Sequence, residues 1–461
     1  PTSAPADGSP GTGAPEAGAP LADRAPGDGT PAVQDAQQAM PLATAARICQ
    51  AGADPRETQP MTSFWRYIET YSLLLLAGTA LALAWANLAP GSYHSVIDFP
   101  LWRGGPVGVP EATPGGADGH RVLTLHFLVN DMLMALFFFL AGKEVWEAVA
   151  LPGGALRGRR ALTPLFAAGG GMLGPILVYL AGAAALGQTA ALARGWAVPT
   201  ATDIAFSYLV GRLVFGARHP AVAFLLLLAI ADDAAGLLIL AVFYPSGALA
   251  PGWLLLSAAA ALAAGLATRG PLRHAPVWPI LLAGAASWYG FHKAGIHPAL
   301  GLLPILPAIP HGATDLGAFA QAETLRGNLL DRIGAALRGP VQVVLFFFGL
   351  ANAGVELTAA GAATGLVLAG LVFGKPLGIL GFGWLAARPL GFGLPEGMAI
   401  RDLAVLGCVA AIGFTVSLFV AGVAFPPGPT QDAAKMGALL SFGAGGIALA
   451  AGRLLRIRRS P

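Results

Sequence analysis

The sequence predicts an all-α polytopic membrane protein with about twelve transmembrane helices. Its 461 residues are 55% hydrophobic and only 11% charged, against roughly 25% charged residues in a typical soluble domain. So few charged side chains could not cover the surface of a water-soluble protein of this length. Long apolar runs also alternate with short loops that carry arginine, and each run is near the roughly 20 residues that cross a bilayer.

Residues 1–60 differ from the rest of the chain. They mix Pro, Ala, Gly, Asp and Ser without a sustained apolar run, so they cannot bury enough surface to offset the entropy of ordering. They also lack the apolar stretch of a signal peptide. We therefore expect a disordered cytoplasmic tail at 1–60, followed by a membrane domain at 61–461.

Twelve apolar runs are candidate membrane helices. They lie near 66–89, 123–148, 162–187, 197–215, 220–244, 249–269, 276–293, 295–310, 338–355, 362–386, 402–424 and 434–456. With a cytoplasmic N-terminus, nineteen arginines fall on the inner side and five basic residues, Lys435 among them, on the outer side. This distribution follows the positive-inside rule, so both termini are expected in the cytoplasm.

The loop at 91–122 is the one long external connection. It has β-branched and aromatic stretches around Gly- and Pro-rich turns, which allow either a short external β-hairpin or a plain linker. The net charge of +3 is dispersed between apolar runs and does not indicate nucleic-acid binding. Cys49 and Cys408 are too far apart in sequence and setting to indicate a disulfide framework or a metal site.

Several charged residues lie inside or at the ends of apolar runs, where each costs on the order of 2.5–3.5 kcal/mol at the bilayer centre. They are Asp131, Glu144, Asp203, Asp232, Asp233 and Lys375. A structural ion pair between helices would explain Lys375 and one aspartate. It would leave the second of the adjacent pair Asp232 and Asp233 unexplained.

Two adjacent carboxylates suit ion exchange. Neighbouring helix positions point about 100° apart, so one acid can face a cation on the next helix while the other faces a water-filled cavity. Close like charges and burial both favour the protonated form of a carboxylic acid. A proton and a hard monovalent cation would then compete for the oxygens of Asp232 and Asp233.

Two spans contain sequences that predict interrupted helices. Pro199 removes a backbone donor shortly before Thr202 and Asp203, although Asp203 could equally be a simple helix N-cap. Gly413 and Thr415 allow a second break in the eleventh span. If 162–244 and 362–456 are inverted repeats, the two breaks correspond and indicate an ion site at the membrane midplane.

Lys375 precedes a proline in the tenth span. It could pair with Asp232 or oppose the negative ends of half-helices. Alternatively, its ammonium could snorkel to the membrane interface.

The motifs together resemble the bacterial NhaA sodium/proton antiporter family over roughly residues 62–456. The strings that carry the resemblance are Val129-Asn-Asp-Met-Leu-Met, Gly195-Trp-Ala-Val-Pro-Thr-Ala-Thr-Asp, Leu228-Ala-Ile-Ala-Asp-Asp, Gly295-Ile-His-Pro, Phe347-Phe-Gly-Leu-Ala-Asn, Gly374-Lys-Pro-Leu-Gly and Gly413-Phe-Thr-Val-Ser. Their order along the chain makes the match specific. The family fold implies inverted-topology repeats with crossed discontinuous helices at spans 4 and 11, and a homodimer aided by the external β-hairpin.

The resemblance also implies a role for each residue. Asp233 corresponds to the principal cation-binding carboxylate and Asp232 to its proton-carrying neighbour, so Na⁺ would bind at Asp233 and Asp232. Lys375, Thr202 and Asp203 would support the site, whereas Asp131 and Glu144 would lie on the external and cytoplasmic ion routes. The chain departs from the family after Glu144, where Trp146, Glu147 and Ala148 follow, and it has Pro298 after His297.

The expected function is exchange of Na⁺, and also Li⁺, for H⁺ across the bacterial cytoplasmic membrane. It would be electrogenic and would serve sodium and pH homeostasis. The protein would be a transporter and not an enzyme, and it would need no cofactor beyond the transported ions. The alternatives are a sodium-coupled symporter on a related fold, an intramembrane aspartyl protease and a non-transporting scaffold, but no Asp here follows the Gly-x-Gly setting of such proteases.

Overall fold

The computed structural model describes residues 72–110, 121–151, 154–156, 158–269, 277–310 and 329–459. These residues all belong to one compact unit, 41–461. The tail expected at 1–60, with Cys49, lies outside the described residues.

The first described elements are two helices and a small sheet. Helix α1 is Leu73–Leu88 and α2 is Pro90–Ile97. Strands β1 (Pro100–Gly105), β2 (Val109–Pro110) and β3 (Arg121–Thr124) form an antiparallel sheet with β3 in the middle. The start of the 91–122 loop is helical, as part of α2, because a proline at the first helical position favours helix. Strands thus occupy part of the predicted hairpin region.

The remaining regular elements of the described chain are helices. The helices are α3 (Leu125–Val149), α4 (Leu162–Ala185), α5 (Thr189–Leu192), α6 (Ile204–Phe215), α7 (Pro220–Phe243), α8 (Pro251–Arg269), α9 (Val277–Ala294), α10 (Leu329–Asn352), α11 (Ala362–Ala387), α12 (Ile400–Ala410), α13 (Phe414–Ala424) and α14 (Pro429–Leu454). Within the described ranges, seven helices are long and apolar enough to cross a membrane, or eight if the bent pair α12–α13 is one span. Shorter apolar helices lie within three of the other predicted spans, at Leu73–Leu88, Ile204–Phe215 and Pro298–Ala308.

Two predicted spans are irregular. The span near 295–310 consists of 3₁₀ turns at Pro298–Leu300 and Leu303–Ala308, because its closely spaced prolines lack the backbone donors that an α-helix needs. The span near 197–215 begins with 3₁₀ helix at Ala193–Thr200 and becomes α-helical only at Ile204.

The start of the last helix also differs from the prediction. Helix α14 begins at Pro429, five residues before the predicted 434, and is irregular between Leu440 and Gly443. Lys435, counted above on the outer side, lies within this helix, with 7% of its surface exposed.

Wider π-helical turns interrupt two membrane-length helices. They lie at Leu128–Leu133 in α3 and at Gly370–Gly374 in α11. Such bulges occur frequently at functional sites. Here one contains Asp131 and the other ends immediately before Lys375.

Helices α4 and α11 pack with their backbones almost in contact. A Cβ atom on Gly378 would lie 1.9 Å from the Gly170 carbonyl oxygen, and one on Gly174 would lie 2.1 Å from the Gly374 oxygen. Only glycine permits this approach, which is common between helices in lipid. The contact fixes α11, and hence Lys375, relative to α4.

Apolar side chains cover outward faces of the bundle. Leucines such as Leu177, Leu255 and Leu282 are each more than 60% exposed. A soluble protein would hide such a surface, whereas a bilayer solvates it.

Candidate functional site

Two helix breaks meet in the interior. The first, residues 201–203, follows the 3₁₀ segment and leads into α6, and the second lies between α12 and α13, which are bent by 52°. The Asp203 amide donates to the Ile412 carbonyl over 2.8 Å, and the Thr202 hydroxyl donates to the Ala410 carbonyl over 3.3 Å. Each break leaves backbone groups without a partner inside its own helix. Some of these groups find a hydrogen-bond partner in the other broken segment.

Asp203 caps two helices at once. Its Oδ1 accepts from the Phe206 amide over 3.2 Å at the start of α6. Its Oδ2 accepts from the Thr415 amide over 3.1 Å and also from the Thr415 hydroxyl, at the start of α13. The carboxylate thus lies near the positive ends of two half-helices. Its oxygens are already occupied, so this acid serves the fold of the breaks rather than offering a ready cation ligand.

Asp232 and Lys375 form a fully buried ion pair. The Lys375 Nζ lies 3.0 Å from Asp232 Oδ2, and neither side chain is exposed. Lys375 also donates to the Thr200 carbonyl over 2.5 Å, at the C-terminal end of the 3₁₀ segment. The ammonium therefore does not snorkel. It opposes both a carboxylate and the negative end of a short helix.

The two carboxylate oxygens of Asp232 have different surroundings. Oδ2 accepts from the Thr202 hydroxyl over 2.7 Å in addition to its contact with Lys375. Oδ1 is buried and has no hydrogen-bond partner among the described residues. An unsatisfied buried acceptor is costly, and a proton or a cation bound at Oδ1 would remove that cost.

Asp233 has a different environment from its neighbour. Its side chain is half-buried and lines a small cavity next to Asp232. No described residue donates a hydrogen bond to it or forms an ion pair with it. The cavity is lined by Phe137, Phe138, Ala141, Ala201, Asp232, Asp233, Gly236, Leu237, Leu240 and Val416. Asp233 thus offers free oxygens to an ion that enters this cavity.

Other acids act on Asp233 through space. A negative charge on it is repelled by three carboxylates, those of Glu144, Asp232 and Asp203. Glu144 is exposed on α3 and does not line the cavity. Its charge therefore acts on Asp233 without direct contact. Beside it, Lys143 pairs with Glu147 over 2.5 Å and with Asp331 over 3.2 Å.

Asp131 lies apart from the pair. Its Oδ1 is 3.8 Å from Nδ1 of His297, whose ring packs against Phe419. Phe419 in turn packs against Phe138, which lines the cavity. A chain of aromatic contacts thus connects the Asp131–His297 pair to the wall of the cavity.

Buried polar residues beside Asp131 were not recognised in the sequence. Asn130 and Asn352 exchange two hydrogen bonds through their side-chain amides, of 3.1 and 2.7 Å, although they lie 222 positions apart. Asn130 also lies 3.0 Å from the His126 ring. Amides inside apolar runs were the available signal, but their pairing depends on tertiary structure.

The sequence comparisons agree on one family. A family model described as Na⁺/H⁺ antiporter 1 matches residues 62–452. The chain is 58% identical to a Na⁺/H⁺ antiporter NhaA of Jannaschia sp. (strain CCS1) over 87% of this chain and 99% of that protein. It is 46% identical to a Na⁺/H⁺ antiporter NhaA of Geobacter sulfurreducens over 86% and 98% of the two chains. A solved sodium proton antiporter from Methanocaldococcus jannaschii aligns with a TM-score of 0.47 and 14% identity, covering 92% of this chain and 99% of that one.

Proposed function

The chain belongs to the Na⁺/H⁺ antiporter 1 family, and from that premise we propose that it exchanges Na⁺ for H⁺ through Asp232 and Asp233. The observation that supports this site best is the contrast within one pair of neighbours. Asp232 has one orphan oxygen in a buried ion pair, and Asp233 has none of its oxygens occupied. Both acids therefore have acceptor sites that a proton or Na⁺ can fill.

Exchange follows from competition for these oxygens. Na⁺ is a hard cation that prefers oxygen ligands, and it enters the cavity when the carboxylates are ionised. Asp233 binds it, and Asp232, whose Oδ1 is unpaired, lines the same cavity. Protons arriving from the other side neutralise the carboxylates and expel the ion, because one oxygen lone pair cannot hold both.

Charge counting makes the exchange electrogenic. With Asp232 and Asp233 ionised and Lys375 protonated, the site has a net charge of −1, which one Na⁺ neutralises. With two protons in place of Na⁺, the net charge is +1. Each cycle would then move one net charge, worth about 2.3 kcal/mol per 100 mV of membrane potential. Li⁺, with the same charge and ligand preference, would also be carried.

The architecture we propose for this chain is the one that the family resemblance implies. Twelve spans would form two inverted repeats, with the broken helices crossing at the ion site and the two faces opening in turn. The sheet of β1–β3 would lie outside the bacterial inner membrane and contribute to a homodimer, with both termini in the cytoplasm. Sodium and pH homeostasis would be the physiological role.

Removing one carboxylate tests the site. In proteoliposomes with an internal acid-sensing dye, added Na⁺ should dissipate the pH gradient with the unmodified protein and not with Asp233→Asn. The matched control is Glu396→Gln, because Glu396 is exposed in a loop far along the chain from the pair. Full exchange by Asp233→Asn would overturn the proposed site.

The direction of proton movement distinguishes antiport from symport. Protons should move opposite to Na⁺ when Na⁺ is added to one side. Movement in the same direction would indicate the symporter alternative. Peptide hydrolysis is not expected, because Asp232 is held by Lys375, whereas an aspartyl protease needs both carboxylates on one catalytic water.

A further inference from the structure

Gly236 lies on the face of α7 that carries the acid pair. Residues three, four and seven positions apart share one face of an α-helix, and Asp233, Gly236, Leu237 and Leu240 follow this spacing. All four line the cavity, as does Asp232, four positions before Gly236. A side chain at position 236 would therefore point towards the cavity and lie one turn from both carboxylates.

Neither the backbone nor the packing requires a glycine at this position. The backbone of Gly236 is helical and has no positive φ angle. A Cβ atom added there would meet no atom of the described residues within 4 Å, whereas one added to Gly378 would lie 1.9 Å from a carbonyl oxygen of α4. Since glycine weakens a helix relative to alanine, the open space beside Gly236 is the feature that needs an explanation.

The other walls of the cavity offer a cation little. Phe137 and Phe138 line it from α3 and Val416 lines it from α13. Among the side chains that line the cavity, only those of Asp232 and Asp233 have oxygen atoms. Hard cations collect several oxygen ligands and keep water among them where protein oxygens are few. A cation at this site therefore needs room for water as well as for itself.

We propose that Gly236 is a specificity-determining residue for the exchanged cation. The open space beside the carboxylates lets the bound ion keep a water ligand, whose oxygen supplies what the apolar walls do not. Na⁺ needs this room more than Li⁺, because Li⁺ is the smaller ion and takes fewer ligands. The inference rests on the proposed exchange through Asp232 and Asp233 and adds how the ion is accommodated there.

A methyl group at this position tests the role. In proteoliposomes at alkaline pH, where protons compete least, Gly236→Ala should raise the apparent KM for Na⁺ roughly 10-fold and largely keep the maximal rate. The KM for Li⁺ should rise less. Gly365→Ala is the matched control, because Gly365 is exposed on α11, does not line the cavity and also leaves an added Cβ without contacts within 4 Å. It should leave both KM values unchanged.

A hydroxyl group at the same position separates lost coordination from lost space. Gly236→Ser would place an oxygen where the water ligand lies in the unmodified protein. It should therefore have a lower KM for Na⁺ than Gly236→Ala, although serine is the larger side chain. A purely steric obstruction predicts the opposite order.

Melting temperatures distinguish this role from a role in packing. Gly236→Ala should melt at the same temperature as the unmodified protein or higher, since alanine favours the helix and no described atom obstructs its methyl group. A lower melting temperature would assign the glycine to packing and count against the proposal.

Three kinetic results would overturn the role of Gly236. They are an unchanged KM for Na⁺ in Gly236→Ala, an equal rise for Na⁺ and Li⁺, and a KM for Na⁺ in Gly236→Ser that is no lower than in Gly236→Ala. Absence of exchange by the unmodified protein would instead contradict the proposed function itself, so the two failures are distinguishable.

Discussion

The carboxylates in the helix breaks and in the adjacent acid pair differ in how many of their oxygens accept hydrogen bonds. In the breaks, both oxygens of Asp203 accept hydrogen bonds from the starts of two helices. In the pair, Asp232 keeps one oxygen unpartnered and Asp233 forms no bond to a described residue. An acid whose oxygens all accept hydrogen bonds therefore stabilises the fold, whereas an acid with free oxygens is available for ion exchange.

The largest effect should follow from breaking the buried ion pair. Lys375→Ala leaves Asp232 with an uncompensated charge, which should cost about 3–5 kcal/mol of stability and abolish exchange. The measurement is the melting temperature of the purified protein in detergent. The double variant Asp232→Asn, Lys375→Met should recover most of the stability without activity. An unchanged melting temperature in Lys375→Ala would show that the pair is not ionised.

Removal of the double cap should be next in size. Asp203→Ala leaves the amides of Phe206 and Thr415 without acceptors, so we expect a loss of about 2–4 kcal/mol, again measured by thermal unfolding. Asp203→Asn is the matched control, because its amide oxygen can still cap one helix, and it should lose less. If Asp203→Ala were as stable as the unmodified chain, the assignment of Asp203 to the fold would be wrong.

A smaller effect should come from the contact that positions the lysine. Gly378→Ala would place a methyl group 1.9 Å from the Gly170 oxygen, which should cost about 1–3 kcal/mol and slow exchange by displacing α11. Gly381→Ala, on the same helix, meets nothing within 4 Å and should be neutral. Comparison of initial rates and melting temperatures checks both; equal behaviour of the two variants would contradict the positioning role of the α4–α11 contact.

The sequence predicts regular helices well because apolar runs end at charged loops. The predicted spans 162–187 and 220–244 differ from the observed helices, Leu162–Ala185 and Pro220–Phe243, by at most two residues at each end. Mostly helical membrane architecture is therefore confirmed. The count of twelve crossings stays a prediction, since seven or eight helices in the described ranges meet the length and composition of a span.

The site was predictable only in part. Carboxylates and a lysine in apolar runs are conspicuous because charge is costly in lipid, so Asp232, Asp233 and Lys375 stand out in the sequence. Which oxygen of Asp232 is left unpaired depends on Thr202 and Lys375 arriving from distant segments. The start of the last helix was missed for a related reason, since Lys435 near a span boundary gives no sign of whether the helix begins before it.

The most direct test of the central claim is proton release on sodium binding. Purified protein in weakly buffered detergent solution receives NaCl, and the pH is followed, with choline chloride as the control. Competition for the same oxygens predicts release of protons, a Na⁺ affinity that rises with pH, and loss of both in the double variant Asp232→Asn, Asp233→Asn. Binding of Na⁺ without proton release would contradict the account.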